Sequence, residues 1–455
     1  MLNIYDTLVR VDAQNNIQPD LATSWSYPTP TELEFTLRTD VKFTDGSDFN
    51  AQAVVFNIDR IMTATPLSPR LSEIATVKDV IALDPSHVRF DLTKPFTPLL
   101  ATLTDRAGMM LSPAAVEKLG DNLTNDAIGA GSGPFMFQEQ VKGDHVTIVR
   151  NPNYWQQDAD GKTLPYLNSI EYHDISNGTV EYTQLETNTI QVADTFDPTD
   201  VVQAKANPNL IYKQIPGLSF YGISLNVTEP PLNNVHVRRA IEWGVNRQEI
   251  LHTVFKDVGV LAQGPIAPGT WAFDSSFNPY GYNIAQAKKE LQLAGMPQGV
   301  TFTFLTQSDS PISTQEAQFI QSELQPAGIT VKIQDETFPQ ILTDTQTHHF
   351  QAAALGWSGR PDPDGNIYSW FHTGGGLNDM LYSNPQVDHL LEDARISNDQ
   401  ATRAKDYMQA QAQIAQDASY VFLYHGVGIQ ASSTKVKNFQ VLPLNMMEFT
   451  NVYLG

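Results

Sequence analysis

The densest group of side chains that could bind a small molecule lies in residues 356–376, GWSGRPDPDGNIYSWFHTGGG. This segment combines flat aromatic surfaces with a guanidinium and two carboxylates, which can pack against an apolar ligand group and hydrogen-bond a polar one. The candidate ligand contacts in it are Trp357, Arg360, Asp362, Asp364, Asn366, Trp370 and His372.

Each of these candidates could instead have a purely structural role. Trp357 could be a core residue, and Arg360 could pair with Asp362 or Asp364, whose Asp-Pro-Asp-Gly context shapes a loop. Asn366 could bond its own backbone and Trp370 could pack between domains. His372 would tune affinity with pH if it faces a ligand, whereas a solvated histidine would have no such role.

The common enzyme and metal motifs fail in this chain. Gly356-Trp-Ser-Gly359 is one residue short of a nucleophile elbow, and Gln156 stands where a phosphate loop ending at residues 161–163 needs glycine. A calcium-like loop over residues 360–371 begins with Arg and ends with Phe, and adjacent His348 and His349 rarely converge on one ion. We therefore expect no catalytic residue, no cofactor and no metal site.

Composition narrows the class of protein further. The 455 residues can form two or three domains, and they carry 50 acidic against 28 basic side chains, a net charge of −22. Such an acidic chain lacks the basic surface that nucleic acids or anionic membranes require. It contains no cysteine, which excludes disulfides and thiolate metal sites, and no apolar run long enough to span a membrane.

Residues 230–250, PPLNNVHVRRAIEWGVNRQEI, predict one amphipathic helix that begins at about Val235. Four apolar side chains recur on one face: Val237, Ile241, Val245 and Ile250. The charged side chains are expected mostly on the other faces: Arg238, Arg239, Glu242 and Arg247. By pattern alone this is a surface helix.

As a string, this segment resembles the "PPF-D-VRVR-A-x-x-x-A-DR" signature of the extracytoplasmic solute-binding proteins of ABC importers, which capture oligopeptides, dipeptides, nickel chelates and opines. The beginning, LNIYDTLVRVD with IQPDLATSW, resembles the same family. GAGSGPFMF at 129–137 is similar to its "GTGPY" element, and residues 356–364 resemble its "GW-x-x-D-x-x-DP" ligand loop. The resemblance covers almost the whole chain in order.

The resemblance implies an α/β type II periplasmic-binding-protein fold, with two α/β lobes joined by a hinge and an extra subdomain inserted in the first lobe. We expect the inserted subdomain at 3–129, the first main lobe at 130–222 plus 426–455, and the second lobe at 223–425. The chain should cross between lobes near 220–226 and 424–430, and a ligand should lie in the cleft.

Three further residues follow from this layout. On the first lobe, Ser132 and the backbone around it could donate hydrogen bonds to a ligand, or they could form a structural turn. Tyr221 and Tyr424 stand at the two crossings, where each could line the cleft or pack the hinge. In the second lobe, a strand at 300–305, a helix at 314–324 and a strand at 329–334 predict a parallel α/β unit.

The family implies a receptor that catalyses nothing, binds a solute by closure and delivers it to membrane permease subunits, most simply as a monomer. It also implies an extracytoplasmic location, either periplasmic or as a lipid-anchored lipoprotein. The chain shows no signal segment, and we expect that segment and the family's first strand to lie outside this sequence.

The ligand class depends on Arg360. In peptide-binding relatives an Asp after the tryptophan holds the ligand's amino group, and Arg360 matches that position if the spacing to Asp362-Pro363 is one residue shorter. A guanidinium pairs with carboxylate or phosphate instead. A peptide-like solute therefore competes with an anionic opine, sugar conjugate or metal chelate. Three further functions compete with solute import: a hydrolase that uses Asp362 or Asp364, a chemosensory receptor and a chaperone.

Overall fold

The computed structural model describes residues 1–64, 68, 70–124, 126–175, 177–194, 197–442, 444 and 446–455. The chain divides into two compact units. The first contains Met1–Ile215 and Gly428–Gly455, and the second contains Pro216–Val427. Both units combine helices with sheets, as predicted for an α/β chain. No helix in the described part of the chain is both long and apolar enough to cross a membrane.

The first unit begins with a large sheet-and-helix assembly and continues through shorter elements. Its elements up to residue 216 are β1 Val9–Val11, β2 Ile17–Pro19, β3 Ala22–Thr29, β4 Glu32–Leu37, α1 Ala51–Thr63, β5 Val77–Asp84, β6 His87–Leu92, α2 Leu99–Thr102, α3 Pro113–Leu119, β7 Phe135–Val141, β8 His145–Arg150, β9 Ser169–His173, α4 Gly178–Glu186, β10 Val192–Ala193, α5 Val201–Ala206 and β11 Leu210–Pro216.

An antiparallel sheet in the order β3-β4-β6-β5 holds the first apolar core of this unit. Leu33, Phe35 and Leu37 alternate inward along β4, because successive strand residues point to opposite faces. Helix α1 packs against β5 and β6, and the side chain of Asn50 caps its first turn by accepting from two backbone N–H groups.

The second unit is built around one six-stranded sheet. Its elements are β12 Phe220–Leu225, α6 Val235–Gly244, α7 Arg247–Thr253, β13 Val260–Leu261, α8 Ile284–Leu293, β14 Val300–Gln307, α9 Pro311–Leu324, β15 Ile329–Glu336, α10 Phe338–Gln346, β16 Ala352–Trp357, α11 Asp364–Phe371, α12 Pro385–Ile396, α13 Gln400–Asp417 and β17 Tyr420–His425.

The strand order of that sheet is β13-β17-β12-β16-β14-β15. Strands β14 and β15 are parallel with α9 between them in sequence, so the predicted parallel unit is confirmed. Two apolar cores lie on the opposite faces of the sheet. Helices α6 to α9 supply one core, with Val421 and Leu423 of β17, and α10 to α13 supply the other, with Phe422.

The last segment returns to the first unit through β18 Val427–Ser433, which pairs between β10 and β11. Four short strands follow: β19 Val436–Lys437, β20 Gln440–Leu442, β21 Met446–Glu448 and β22 Tyr453–Leu454. Together with the antiparallel sheet β7-β8-β9 they enclose a second apolar core that includes Phe135, Ile148 and Phe449. The two cores of the first unit share no residue.

The helix predicted from Val235 to Ile250 is wrong in its extent. Val245 has extended backbone angles, and the side chain of Asn246 caps a new helix, α7. The prediction for the charged residues is also wrong, because Arg238, Glu242 and Arg247 are all buried. Arg247 pairs with the carboxylate of Glu242 and donates to a backbone carbonyl of β17, so this is a core element.

Candidate functional site

The segment resembling a ligand loop begins at the end of β16 and continues into α11, within the second unit. Asn366 in α11 organises it. Its side-chain oxygen accepts from the indole Nε1 of Trp357 at 3.1 Å and from the backbone N of Arg360 at 2.7 Å. Its amide nitrogen donates to the carbonyl of Arg360 at 2.9 Å. Asn366 is fully buried, and its hydrogen bonds fix the positions of the Trp357 ring and of the Arg360 backbone.

The two aspartates of the loop are held by arginines from the following helices. Both oxygens of Asp362 accept from Arg403 of α13, at 2.6 and 2.9 Å. Asp364 accepts from Nε of Arg395 in α12 at 3.0 Å. Burial raises the pKa of Asp364 to about 6, although the charge of Arg395 opposes this rise. Both carboxylates therefore tie the loop to α12 and α13.

Trp357 and Arg360 lie together on the surface side of this loop. The guanidinium carbon of Arg360 is 4.4 Å from the centre of the Trp357 ring, a cation–π arrangement. A Cβ at Gly365 would lie 2.6 Å from the Cβ of Arg360, so glycine there leaves room for the arginine stem. Both side chains are partly exposed.

Tyr221 and Tyr424 form a stacked aromatic pair at the same end of the sheet. Their ring centres are 5.1 Å apart with the planes inclined by 19°. Tyr221 pairs with Tyr424, but Gly222 pairs with Phe422, so Leu423 is the extra residue of a β-bulge. The bulge directs Tyr424 toward the core that contains α6 to α9, away from Phe422.

The Tyr221 ring also explains the glycine before Trp357. A Cβ at Gly356 would lie 2.2 Å from the Cδ1 atom of Tyr221, so no side chain fits there. Tyr221 remains 38% exposed, and desolvation raises its pKa, so the phenol stays neutral near pH 7. Tyr424 packs on the core that contains α6 to α9, whereas Trp357 packs on the core that contains α10 to α13, so these partly exposed aromatic groups lie at one end of the sheet but on opposite faces.

Trp370 and His372 occupy different environments. Trp370 is buried in the core that contains α10 to α13, with its ring centre 5.4 Å from that of Phe220. The ring of His372 stacks on Tyr368 at 4.4 Å, and its Nε2 lies 3.4 Å from a Glu392 oxygen. Trp370 therefore packs in this core, whereas His372 is partly exposed.

Ser132 lies in the first unit and is fully buried. Its hydroxyl donates to Asp6 at 3.0 Å, and the N–H of Gly133 donates to the carbonyl of Ile4 at 2.9 Å. A Cβ at Gly131 would lie 2.0 Å from that same carbonyl oxygen. These contacts favour the structural turn over a ligand role for the segment.

Sequence reasoning missed the arginines that support the loop. Arg395 and Arg403 lie 31 and 41 residues from their aspartate partners. The signal available was weak: each arginine stands in a stretch whose apolar residues recur at helical spacing. No group of three or more His, Cys, Asp or Glu side chains that could hold a metal ion occurs among the residues described.

Comparison with known proteins gives one consistent result. The model of the bacterial extracellular solute-binding proteins, family 5 (Middle), matches residues 16–378. The Probable D,D-dipeptide-binding periplasmic protein DdpA of Escherichia coli (strain K12) is 30% identical over 442 residues, covering 94% of this chain and 83% of that protein. The glutathione-binding protein GsiB of Pectobacterium atrosepticum is 28% identical, covering 92% and 82%.

A solved structure extends the similarity to three dimensions. The ABC transporter-associated periplasmic binding protein DppA from Helicobacter pylori, in complex with the peptide STSA, superposes with a TM-score of 0.86. The two chains are 28% identical, and the match covers 99% of this chain and 92% of that one.

Proposed function

Because the chain belongs to the bacterial extracellular solute-binding proteins of family 5, it is a solute-binding protein of an ABC importer, and we propose that its solute is a short peptide or peptide-like molecule held by a carboxylate. The observation that carries this proposal is Arg360 stacked on Trp357. A D,D-dipeptide, glutathione and the peptide STSA, named for the relatives, are all peptides with a carboxylate.

The chemistry of Arg360 supports a carboxylate as the group it binds. A guanidinium presents a planar fork of N–H donors that matches the two oxygens of a carboxylate. Stacking on the indole and bonding of its own backbone to Asn366 reduce the freedom that this side chain loses on binding. An opine, a sugar conjugate or a metal chelate could present the same anionic group.

The proposed contact surface has two parts. Tyr221, Tyr424 and Trp357 supply apolar walls, and Arg360 supplies the charge. Asp362, Asp364, Asn366 and Trp370 hold the surface in place, and His372 lies beside the same helix. Because the solute binds the closed form better, it shifts an open–closed equilibrium toward closure of the lobes.

We also propose how the protein delivers its solute, where it works and how its domains are divided. The closed protein delivers its solute to membrane permease subunits, acts as a monomer and works outside the cytoplasm, in the periplasm or on a lipid anchor. The inserted subdomain corresponds to 3–129, the first main lobe to 130–222 with 426–455, and the second lobe to 223–425. Separate apolar cores in the first unit support the division of that unit into two parts.

The test compares a dipeptide, such as Ala-Ala, with its C-terminal amide by isothermal titration calorimetry. The wild type should bind the free acid more tightly by about 1.5–3 kcal/mol, the contribution of a hydrogen bond to a charged group. Arg360→Ala should lose this difference, so that acid and amide bind about equally. Native mass spectrometry of gently purified protein would identify a retained solute.

Lys288→Ala is the matched control, since it removes one exposed positive charge from α8 in the same unit. It should leave the preference for the free acid intact. Equal binding of acid and amide by the wild type would refute the role of Arg360. Binding of an anionic opine or chelate, with no response to any peptide, would replace the peptide in this proposal.

A further inference from the structure

A cavity of about 220 Å³ lies at the β13 edge of the six-stranded sheet, within the second unit. Its walls come from β13, the loop that follows β13, helix α13 and the end of β17. None of the four residues of the proposed contact surface is among the described residues that line it. A cavity of about 150 Å³ is enough to hold benzene, so this one can hold a small organic molecule.

Gln411 of α13 lines this cavity with a carboxamide that the protein does not use. The residue is only 3% exposed, and within the described part of the chain no hydrogen bond reaches its side chain. A Cβ at Gly264 would lie 2.6 Å from the Oε1 atom of Gln411, so the glycine leaves room beside the amide. Buried amides normally have hydrogen-bond partners, and a molecule in the cavity would supply the missing one.

Two further residues of the lining offer hydrogen-bond acceptors. The Oε1 atom of Gln263 is buried and accepts no hydrogen bond, while its amide nitrogen donates to the carbonyl of Tyr280 at 3.2 Å. The Nδ1 atom of His425 lies 3.0 Å from the carbonyl oxygen of Ser219, which can only accept. Nδ1 therefore carries the ring proton, and Nε2 is an acceptor. Burial lowers the pKa of His425 to about 4, so the ring is neutral near pH 7.

The cavity also has a negative charge and aromatic walls. Asp274 lines it, and hydrogen bonds from the hydroxyl and the backbone N–H of Ser276 lower the pKa of its carboxyl, which is therefore ionised near pH 7. Phe273 and Phe277 supply two rings, whose faces attract cations. No lysine or arginine is among the lining residues that the structure describes. The cavity thus combines acceptors with a carboxylate and offers no positive charge.

We propose that this cavity is a second binding site, which takes a small organic cation with an ammonium or guanidinium group on an apolar body. Such a group only donates hydrogen bonds, and it matches the acceptors of Gln263, His425 and Gln411. Asp274 balances its charge, and the two phenylalanine rings cover its apolar part. An anion would meet a carboxylate of like charge, which disfavours it. The site shares no residue with the proposed contact surface, so it does not depend on the identity of the transported solute.

The test compares benzylammonium with benzyl alcohol, a neutral molecule of nearly the same shape, by isothermal titration calorimetry at pH 7. Wild type should bind benzylammonium saturably and about tenfold more tightly than benzyl alcohol, the size of a charged hydrogen bond. In Asp274→Asn this ratio should fall to about one, because the variant keeps an oxygen that can accept from Ser276 and loses the charge. Gln411→Leu, which removes the amide at similar volume, should weaken benzylammonium binding by about tenfold.

Asp309→Asn is the matched control, because it removes an exposed acid just before α9 that does not line the cavity, and it should keep the wild-type ratio. Circular dichroism confirms that each variant is folded. A wild type that binds benzylammonium no better than benzyl alcohol, or that shows no saturable binding, contradicts the cation site. A wild-type ratio in Asp274→Asn together with unchanged affinity in Gln411→Leu places the cation elsewhere and overturns the assignment to this cavity.

Discussion

Two kinds of charged side chain occur in the ligand-loop segment of the second unit, and their difference separates support from recognition. Asp362 and Asp364 are buried and each accepts hydrogen bonds from an arginine of a neighbouring helix. Arg360 is different, because its side chain is partly exposed and its guanidinium lies over the ring of Trp357. Removing one partner of a buried pair leaves an uncompensated charge inside the protein, whereas a partly exposed guanidinium can bind an anion from outside.

The same distinction applies to the other residues of the segment that resembles the family's ligand loop. Among its conspicuous residues, the acids and Asn366 point into the protein, and Trp357 and Arg360 remain partly exposed. Residue types that could bind a solute therefore also occur as buried groups that support the exposed side chains. Substitution of a supporting residue should mainly lower stability, whereas substitution of a binding residue should mainly lower affinity.

The largest effect is expected from removing the partner of a paired acid. Arg403→Ala leaves Asp362 buried with an unpaired charge and also breaks bonds to Ala394 and Tyr407. The free energy of unfolding should fall by about 3–5 kcal/mol, as for other broken buried ion pairs. Urea denaturation followed by circular dichroism measures this change.

Arg360→Ala provides the control, since Arg360 is partly exposed and its guanidinium donates to the carbonyl of the adjacent Gly359. Its free energy of unfolding should change by less than about 1 kcal/mol, while its affinity for a carboxylate changes. A similar loss of stability in both variants would remove the distinction between the supporting arginine and the binding arginine.

A smaller effect is expected at Asn366, a buried but neutral supporting group. Asn366→Ala removes three hydrogen bonds and leaves the N–H of Arg360 without its acceptor. We expect a loss of about 2–3 kcal/mol in stability, because orphaned buried groups keep their desolvation cost. Affinity for Ala-Ala should fall too, since Trp357 and Arg360 lose their common anchor.

Asn384→Ala serves as the comparison, because Asn384 is a helix cap and polar partner of Asp417 in the same unit. It should lower the midpoint of urea unfolding and leave the affinity for Ala-Ala unchanged. If Asn366→Ala likewise changes stability alone, Asn366 supports the fold but does not position the binding surface.

Much of the fold could be predicted because its signals are local. The alternation in β4, the cap at Asn50 and the strand–helix–strand order of β14, α9 and β15 depend on neighbouring residues, and the structure confirms all three. The family resemblance and the type II periplasmic-binding-protein fold are confirmed by the comparisons.

The errors arose where distant residues decide the outcome. Arg247 is buried because the backbone carbonyl of Phe422, 175 residues away, accepts from it. The helical spacing predicted that Arg247 is exposed, because spacing alone contains no information about distant hydrogen-bond partners. The Arg403–Asp362 pair could not be predicted either, because it depends on how α13 packs on the same core as α11.

The last predicted effect is a gain in stability, and it concerns Glu316 of α9, a partly exposed acid. Without solute, the free energy of unfolding of Glu316→Gln should exceed that of the wild type increasingly as the pH rises, because desolvation raises the pKa of the Glu316 carboxyl. The folded-state pKa of about 8 exceeds the ordinary 4.5, so wild-type stability through this group is complete below pH 4.5 and is lost as the pH rises through 8.

The difference between variant and wild type should therefore be near zero at pH 4.5, widen between pH 4.5 and 8, and remain constant above. Urea unfolding at pH 5, 6.5 and 8 measures it, with Asp309→Asn expected to follow the wild type throughout. A constant difference across this range would mean that Glu316 is ionised and satisfied in the free protein. In that case the pKa of Glu316 would be close to its ordinary value, and its surroundings would not oppose ionisation.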